Sequence, residues 1–94
     1  MSLEEILERK LPIFCKFLQE RIYKEKFKID TVRLIGQVIC KNNTIIYEVE
    51  LKSKEGEKKK EYFSLDKYGR IVYHIGFEKF VSSFDNKKIK EYVS

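Results

Sequence analysis

Residues 44–76, TIIYEVELKSKEGEKKKEYFSLDKYGRIVYHIG, decide the fold. Ile45, Tyr47, Val49 and Leu51 alternate with Ile46, Glu48, Glu50 and Lys52, the period of a strand with one apolar face. The chain then turns around Gly56 within the lysine-rich tip SKEGEKKK, and Phe63 and Leu65 resume the inner face. Asp66-Lys67-Tyr68-Gly69 reads as a three-residue loop with Gly69 at the left-handed bulge position. Ile71, Tyr73 and Ile75 complete that face, so the stretch spells an antiparallel meander.

The pattern extends upstream. Residues 31–40, TVRLIGQVIC, place Val32, Leu34, Gly36, Val38 and Cys40 on one face, with Gly36 marking a bulge or a close approach of the helix. Asn42-Asn43 suits a two-residue type I′ loop, because Asn tolerates left-handed backbone angles. Before the first strand, Ser2 and Glu5 form the S-x-x-E capping box of a helix. Leu3, Ile6, Leu7, Leu11, Phe14, Leu18 and Ile22 then follow at helical spacing. Pro12 cannot bond the carbonyl of Glu8, so the helix is expected to be kinked or split there. Ile13, Cys15, Phe17 and Tyr23 add apolar surface beyond one stripe, which asks for a second sheet face or a partner.

Downstream, Phe77, Phe80, Val81 and Phe84 regain helical spacing, and Asp85 reads as a cap before Ile89, Tyr92 and Val93. The order is an α+β single domain over residues 1–94. An N-terminal helix packs on a four-stranded antiparallel meander, and a short C-terminal helix follows. A long helix on such a meander is similar in outline to cystatin-like folds, although no cystatin motif is present.

The chain has 94 residues, 43% of them hydrophobic, and carries a net charge of +5 with a pI near 9.2. That balance points to an acidic partner, nucleic acid first. Sixteen Lys and eleven Ile without any Ala fit AT-rich coding and the Lys-rich usage of some thermophiles. Cys15 and Cys40 sit in apolar patterns without a second Cys or a His at ligand spacing, so free thiols are expected and a zinc site is not. With no charged-then-apolar leader and no long uncharged run, the expected location is the cytoplasm, without membrane contact.

Register adds one polar cluster. An Asn42-Asn43 loop sets Lys41 opposite Thr44, Val38 opposite Tyr47 and Ile35 opposite Glu50. Centring the second turn on Gly56 sets Val49 against Phe63 and Glu50 against Tyr62. The third turn sets Phe63 against Tyr73 and Tyr62 against His74. The outer face then carries a row Ile35–Glu50–Tyr62–His74 beside a row Gln37–Glu48–Ser64–Val72. Glu, Tyr and His together can exchange protons near neutral pH, but an exposed sheet face offers no cleft for catalysis. Ile35, Ile39, Ile46 and Val72 on that face argue for a cover by the C-terminal helix, or for a dimer.

Glu50-Leu51-Lys52 matches the E-x-K half of a metal-dependent nuclease signature, with Asp30 as the upstream acid. Five residue steps separate Asp30 from Glu50 in this register, about 15 Å, too far to share a metal. The expected function is therefore binding of DNA or RNA without catalysis. Lys52, Lys54, Lys58, Lys59 and Lys60 on the hairpin meet phosphates, Arg33 stands at the rim, and Tyr62 and His74 stack on bases. The alternative is a homodimeric protein-interaction module using the apolar outer face or residues 13–27. No cofactor, metal or small-molecule substrate is indicated.

Overall fold

A computed structural model describes residues 2–40 and 42–82. The chain is α+β: an N-terminal helix packed on a four-stranded antiparallel sheet of order β1-β2-β3-β4, then a short helix. Helix α1 spans Leu3–Phe17 and passes directly into a π-helical segment, Leu18–Tyr23. The strands are β1 (Ile29–Ile39), β2 (Ile45–Ser53), β3 (Lys58–Leu65) and β4 (Ile71–Tyr73), and α2 spans Phe77–Ser82. The cap at Asp85 and the apolar residues Phe84, Ile89, Tyr92 and Val93 lie outside the described residues, as does Lys41. No helix among the described residues is long and apolar enough to cross a membrane.

The N-cap forms as its residues require, with the Ser2 hydroxyl accepting the Glu5 amide at 3.2 Å. No split occurs at Pro12, which lies inside α1. Pro12 and Glu8 are both exposed, so the carbonyl deprived of its donor faces water rather than protein. The change of helical geometry comes six residues later, where Leu18 begins the π-helical segment. On α1, Leu7 and Phe14 are buried, whereas Ile13 and Phe17 remain exposed.

The chain divides into two compact units, the division falling within β1, β2 and β3. The first takes residues up to Leu34 together with Glu50–Lys59, and buries Leu7, Phe14, Leu18, Phe27 and Leu51. The second takes Ile35–Val49 and the chain from Lys60 onward. It is packed on both faces of its strands. Tyr47 and Phe63 stack at 5.5 Å between ring centroids, while Cys40, Ile46 and Tyr62 cluster with Val38 and Phe77.

All three hairpins close in the same way. The Cys40, Ser53 and Asp66 amides donate to the Thr44, Glu57 and Arg70 carbonyls at 2.8, 2.9 and 2.9 Å. In each, the residue before the last carries a positive φ: 67° at Asn43, 89° at Gly56 and 77° at Gly69. Each is thus a three-residue loop ending in a left-handed bulge residue, with Asn43 taking the part that glycine plays in the other two. The expected two-residue loop at Asn42-Asn43 does not form.

That one residue matters, because a slip of one transfers every side chain of a strand to the other face. Val38 and Cys40 consequently pack with Ile46 and Tyr62 instead of with Tyr47 and Val49. The second hairpin is two residues from expectation. Stepping back along both strands from the Ser53–Glu57 closure brings Glu48, not Glu50, opposite Tyr62. The third hairpin is as expected, pairing Phe63 with Tyr73 and Ser64 with Val72. A Cβ at Gly36 would meet Glu48 Oε1 at 3.5 Å, an ordinary contact with a side chain of the neighbouring strand.

Candidate nucleic-acid interface

In the first unit, the π-helical segment ends in a sharp reversal that brings Lys24, Lys26 and Lys28 into play. Gln19 organises it. Its amide nitrogen donates to the carbonyls of Lys24 (2.7 Å) and Phe27 (2.9 Å), and its amide oxygen accepts the Ile29 amide at 2.8 Å. The Lys24 amide in turn donates to the Gln19 carbonyl at 2.8 Å. These bonds hold Lys24 at φ 53° and ψ −119°, a conformation that an L residue rarely adopts and that costs about 1–3 kcal/mol.

This reversal lies beside the hairpin arm 50–59. A groove of about 620 Å³ is lined by Lys24, Lys28 and Lys54 together with Gln19, Glu20, Glu25 and Ile29. A second, of about 430 Å³, is lined by Lys26 and Lys28 together with Phe27, Ser53 and the acidic Glu25, Glu55 and Glu57. Lysines thus outnumber carboxylates in the first groove but not in the second, so the first is the one that favours an anion. Lys28 approaches Glu25 at 4.0 Å and Lys59 approaches Glu57 at 3.9 Å. Lys24, Lys26, Lys52, Lys54 and Lys58 are exposed and form no ion pair among the described residues.

Lys59 differs from its neighbours. It is half-buried, with Nζ 5.3 Å from the Phe27 ring centroid and 6.0 Å from that of Tyr23. Its charge therefore rests on an aromatic pair and serves packing as well as any ligand. Arg33 is exposed, with Nε 3.3 Å from Glu50 Oε1. Glu50 is thereby engaged with a cation and does not join Tyr62 and His74. Among the described residues, no group of three His, Cys, Asp or Glu could hold a metal ion.

The second unit contains Lys60, Tyr62 and His74. Lys60 is exposed, but Tyr62 is only 1% exposed. Phe77 packs on the Tyr62 ring at 5.0 Å between centroids and stands edge-on to His74 at 6.1 Å. The expected stacking platform is therefore covered, and Tyr62 presents no open ring face to a base. Its hydroxyl donates to Glu48 Oε2 at 2.5 Å, while the Tyr73 hydroxyl donates to Glu61 Oε1 at 3.0 Å. Burial, reinforced by these carboxylates, pushes both phenols well above their ordinary range.

His74 donates its backbone amide to the Tyr62 carbonyl at 3.0 Å, and its Nε2 lies 2.8 Å from Ser64 Oγ. Burial lowers the imidazole below its ordinary value. A Ser–His hydrogen bond is also the geometry of an activated nucleophile. Here Ser64 is only 4% exposed and neither groove is lined by it, and the bond gives its buried hydroxyl a partner in the half-buried His74.

Among the described residues of this unit, the exposed aromatic is Tyr68, at 69% exposure on the third hairpin. Lys67 Nζ lies 5.1 Å and Arg70 Cζ 5.0 Å from its ring centroid. Asp66 fixes the turn by accepting the Tyr68 amide (2.8 Å), the Arg70 amide (2.9 Å) and Arg70 Nε (2.8 Å). The bonds from Arg70 hold the Asp66 carboxyl below its ordinary value. The sequence DKYGR places Lys67 and Arg70 on either side of Tyr68-Gly69, so a tyrosine between two cations at a loop tip is legible in the residues themselves. No protein-family profile matches this chain, and no curated protein or solved structure matches it.

Proposed function

We propose that the protein binds the phosphate backbone of nucleic acid through Lys24, Lys28 and Lys54, with the neighbouring lysines of residues 24–28 and 52–59 adding to the field. The observation that carries this reading is the shared groove. Lys24 and Lys28 share one depression with Lys54, about 30 residues away in sequence, and Lys24 and Lys54 form no ion pair among the described residues. The strained backbone of Lys24 within that groove favours it further, since such strain collects at functional positions. The reading assigns no catalytic step, cofactor or metal.

The test is fluorescence anisotropy with short single-stranded and duplex oligonucleotides over a salt series. For about four phosphate contacts, affinity should fall about a hundredfold between about 50 and 200 mM salt. Replacing Lys24, Lys28 and Lys54 together by Glu should flatten that dependence and abolish measurable binding. Binding that is insensitive to salt, or untouched by the triple replacement, would remove the groove from the mechanism.

A further inference from the structure

The two grooves of the first unit adjoin each other, since Glu25 and Lys28 line both. Charge is sorted between them. The first has its excess of lysines, whereas Glu25, Glu55 and Glu57 outnumber Lys26 and Lys28 in the second. Attraction for an anion is therefore confined to one depression of about 620 Å³, and the neighbouring depression opposes it.

Hydrogen bonds hold both walls in this arrangement. Gln19 ties the reversal that carries Lys24 and Lys28. Across from it, Ser53 closes the turn that carries Lys54, Glu55 and Glu57. The Ser53 amide donates to the Glu57 carbonyl at 2.9 Å, its hydroxyl accepts the Glu57 amide at 3.1 Å, and its carbonyl accepts the Gly56 amide at 3.0 Å. Ser53 is only 5% exposed, so these bonds are shielded from water. Successive residues of one held turn thus serve opposite charges, Lys54 on the first groove and Glu55 on the second. Glu55 is exposed and forms no ion pair among the described residues, so its charge is not neutralised from within.

Such sorting is poorly matched to a continuous phosphate backbone. A strand laid across both grooves would carry its phosphates from the lysines onto the carboxylates, losing in the second what it gained in the first. A strand that ends in the first groove avoids that loss. If its end is a phosphomonoester, it also brings about two negative charges and three acceptor oxygens to the lysines, where an internal phosphodiester brings one charge. We infer that the first groove receives the terminal phosphate of a nucleic-acid strand rather than a run of internal phosphates. Resting on the nucleic-acid reading above, this assignment adds which part of the strand is held. The groove volume agrees with it, lying in the range that encloses one small ligand rather than a length of polymer.

The test is fluorescence anisotropy of the full chain with one single-stranded sequence, labelled at an internal base. The strand carries a terminal phosphate at one end, at the other, or at neither. At least one phosphorylated form should bind about tenfold more tightly than the unphosphorylated strand. A circularised strand of the same sequence, which has no end, should bind no better than the unphosphorylated one. Glu55→Lys, at an exposed position, should leave the circular dichroism spectrum unchanged. It should also strengthen binding of the unphosphorylated strand and cut the preference to about threefold or less. Steeply salt-dependent binding that is equal with and without the terminal phosphate overturns the inference and leaves the groove as a backbone site. Failure of every strand to bind overturns both. An unchanged preference in folded Glu55→Lys also overturns the inference. So does a free nucleoside monophosphate that competes as well as the phosphorylated strand, which would make the ligand a free nucleotide.

Discussion

The two units treat their polar side chains in opposite ways. In the second, Tyr62, Tyr73, Ser64 and His74 each end on a partner, whether carboxylate, hydroxyl or imidazole. In the first, Lys24, Lys26, Lys52 and Lys54 end in solvent, and the backbone beneath Lys24 is strained. The difference follows from burial. A polar atom removed from water must find a protein partner, whereas an exposed ammonium remains hydrated and available to a ligand. The network that looks most like chemistry thus has its hydrogen bonds satisfied within the protein, while the lysine surface keeps charges available to a ligand, which is what our proposal rests on.

This contrast can be broken at several points. The largest effect should come from the packed core of the second unit. Phe63 is fully buried against Tyr47, and Phe63→Ala should cost about 3–5 kcal/mol in urea denaturation. The three lysine-to-glutamate changes in the groove should cost little stability by the same measurement while abolishing binding. If they unfold the protein instead, the lysines are structural and the contrast is lost.

Gln19 is the exception within the first unit, because one amide serves three backbone groups. Gln19→Ala should destabilise by about 2–3 kcal/mol and loosen the reversal, read as faster amide hydrogen exchange at Ile29. Tyr62→Phe should cost about 1–2 kcal/mol by stranding the Glu48 carboxylate, and it should leave nucleic-acid affinity unchanged. A loss of affinity in Tyr62→Phe with the fold intact would return that residue to the binding surface.

Two smaller effects sharpen the comparison. Burial lowers the folded pKa of His74 below the unfolded value of about 6.5. Its contribution to stability is thus present above about pH 6.5 and is lost as pH falls through the folded value. Denaturation of the parent and of His74→Gln at several pH values should show a steeper acid loss in the parent. Lys24→Gly should raise stability by about 1 kcal/mol by removing strain, and should weaken binding by removing a charge. Lost stability in that variant would mean that the Lys24 side chain holds the reversal.

Much of the architecture was legible in the residues themselves. The third hairpin was readable to the residue, because Gly69 can take the left-handed position that closes a three-residue loop after Asp66. The same rule applied to Gly56 would have closed the second hairpin at Ser53 and Glu57 and found Glu48 beside Tyr62. The first hairpin was harder, since Asn42 and Asn43 are both suited to left-handed geometry and support either loop length. For the site, the hairpin lysines are plain in the sequence, but their adjacency to Lys24 and Lys28 is not. It depends on a π-helical end and a glutamine staple that leave no periodic signature.

The alternation in residues 44–76 by itself determined an antiparallel meander behind an amphipathic helix, because side-chain period is a property of the local backbone. Only the tertiary structure decided which face each strand of the first hairpin shows, since one extra loop residue inverts a whole strand. It also decided that Phe77 covers Tyr62 while Tyr68 stays open, and that Lys54 meets Lys24 and Lys28 across one groove. Those outcomes rest on contacts between residues distant in sequence, where no local pattern reaches.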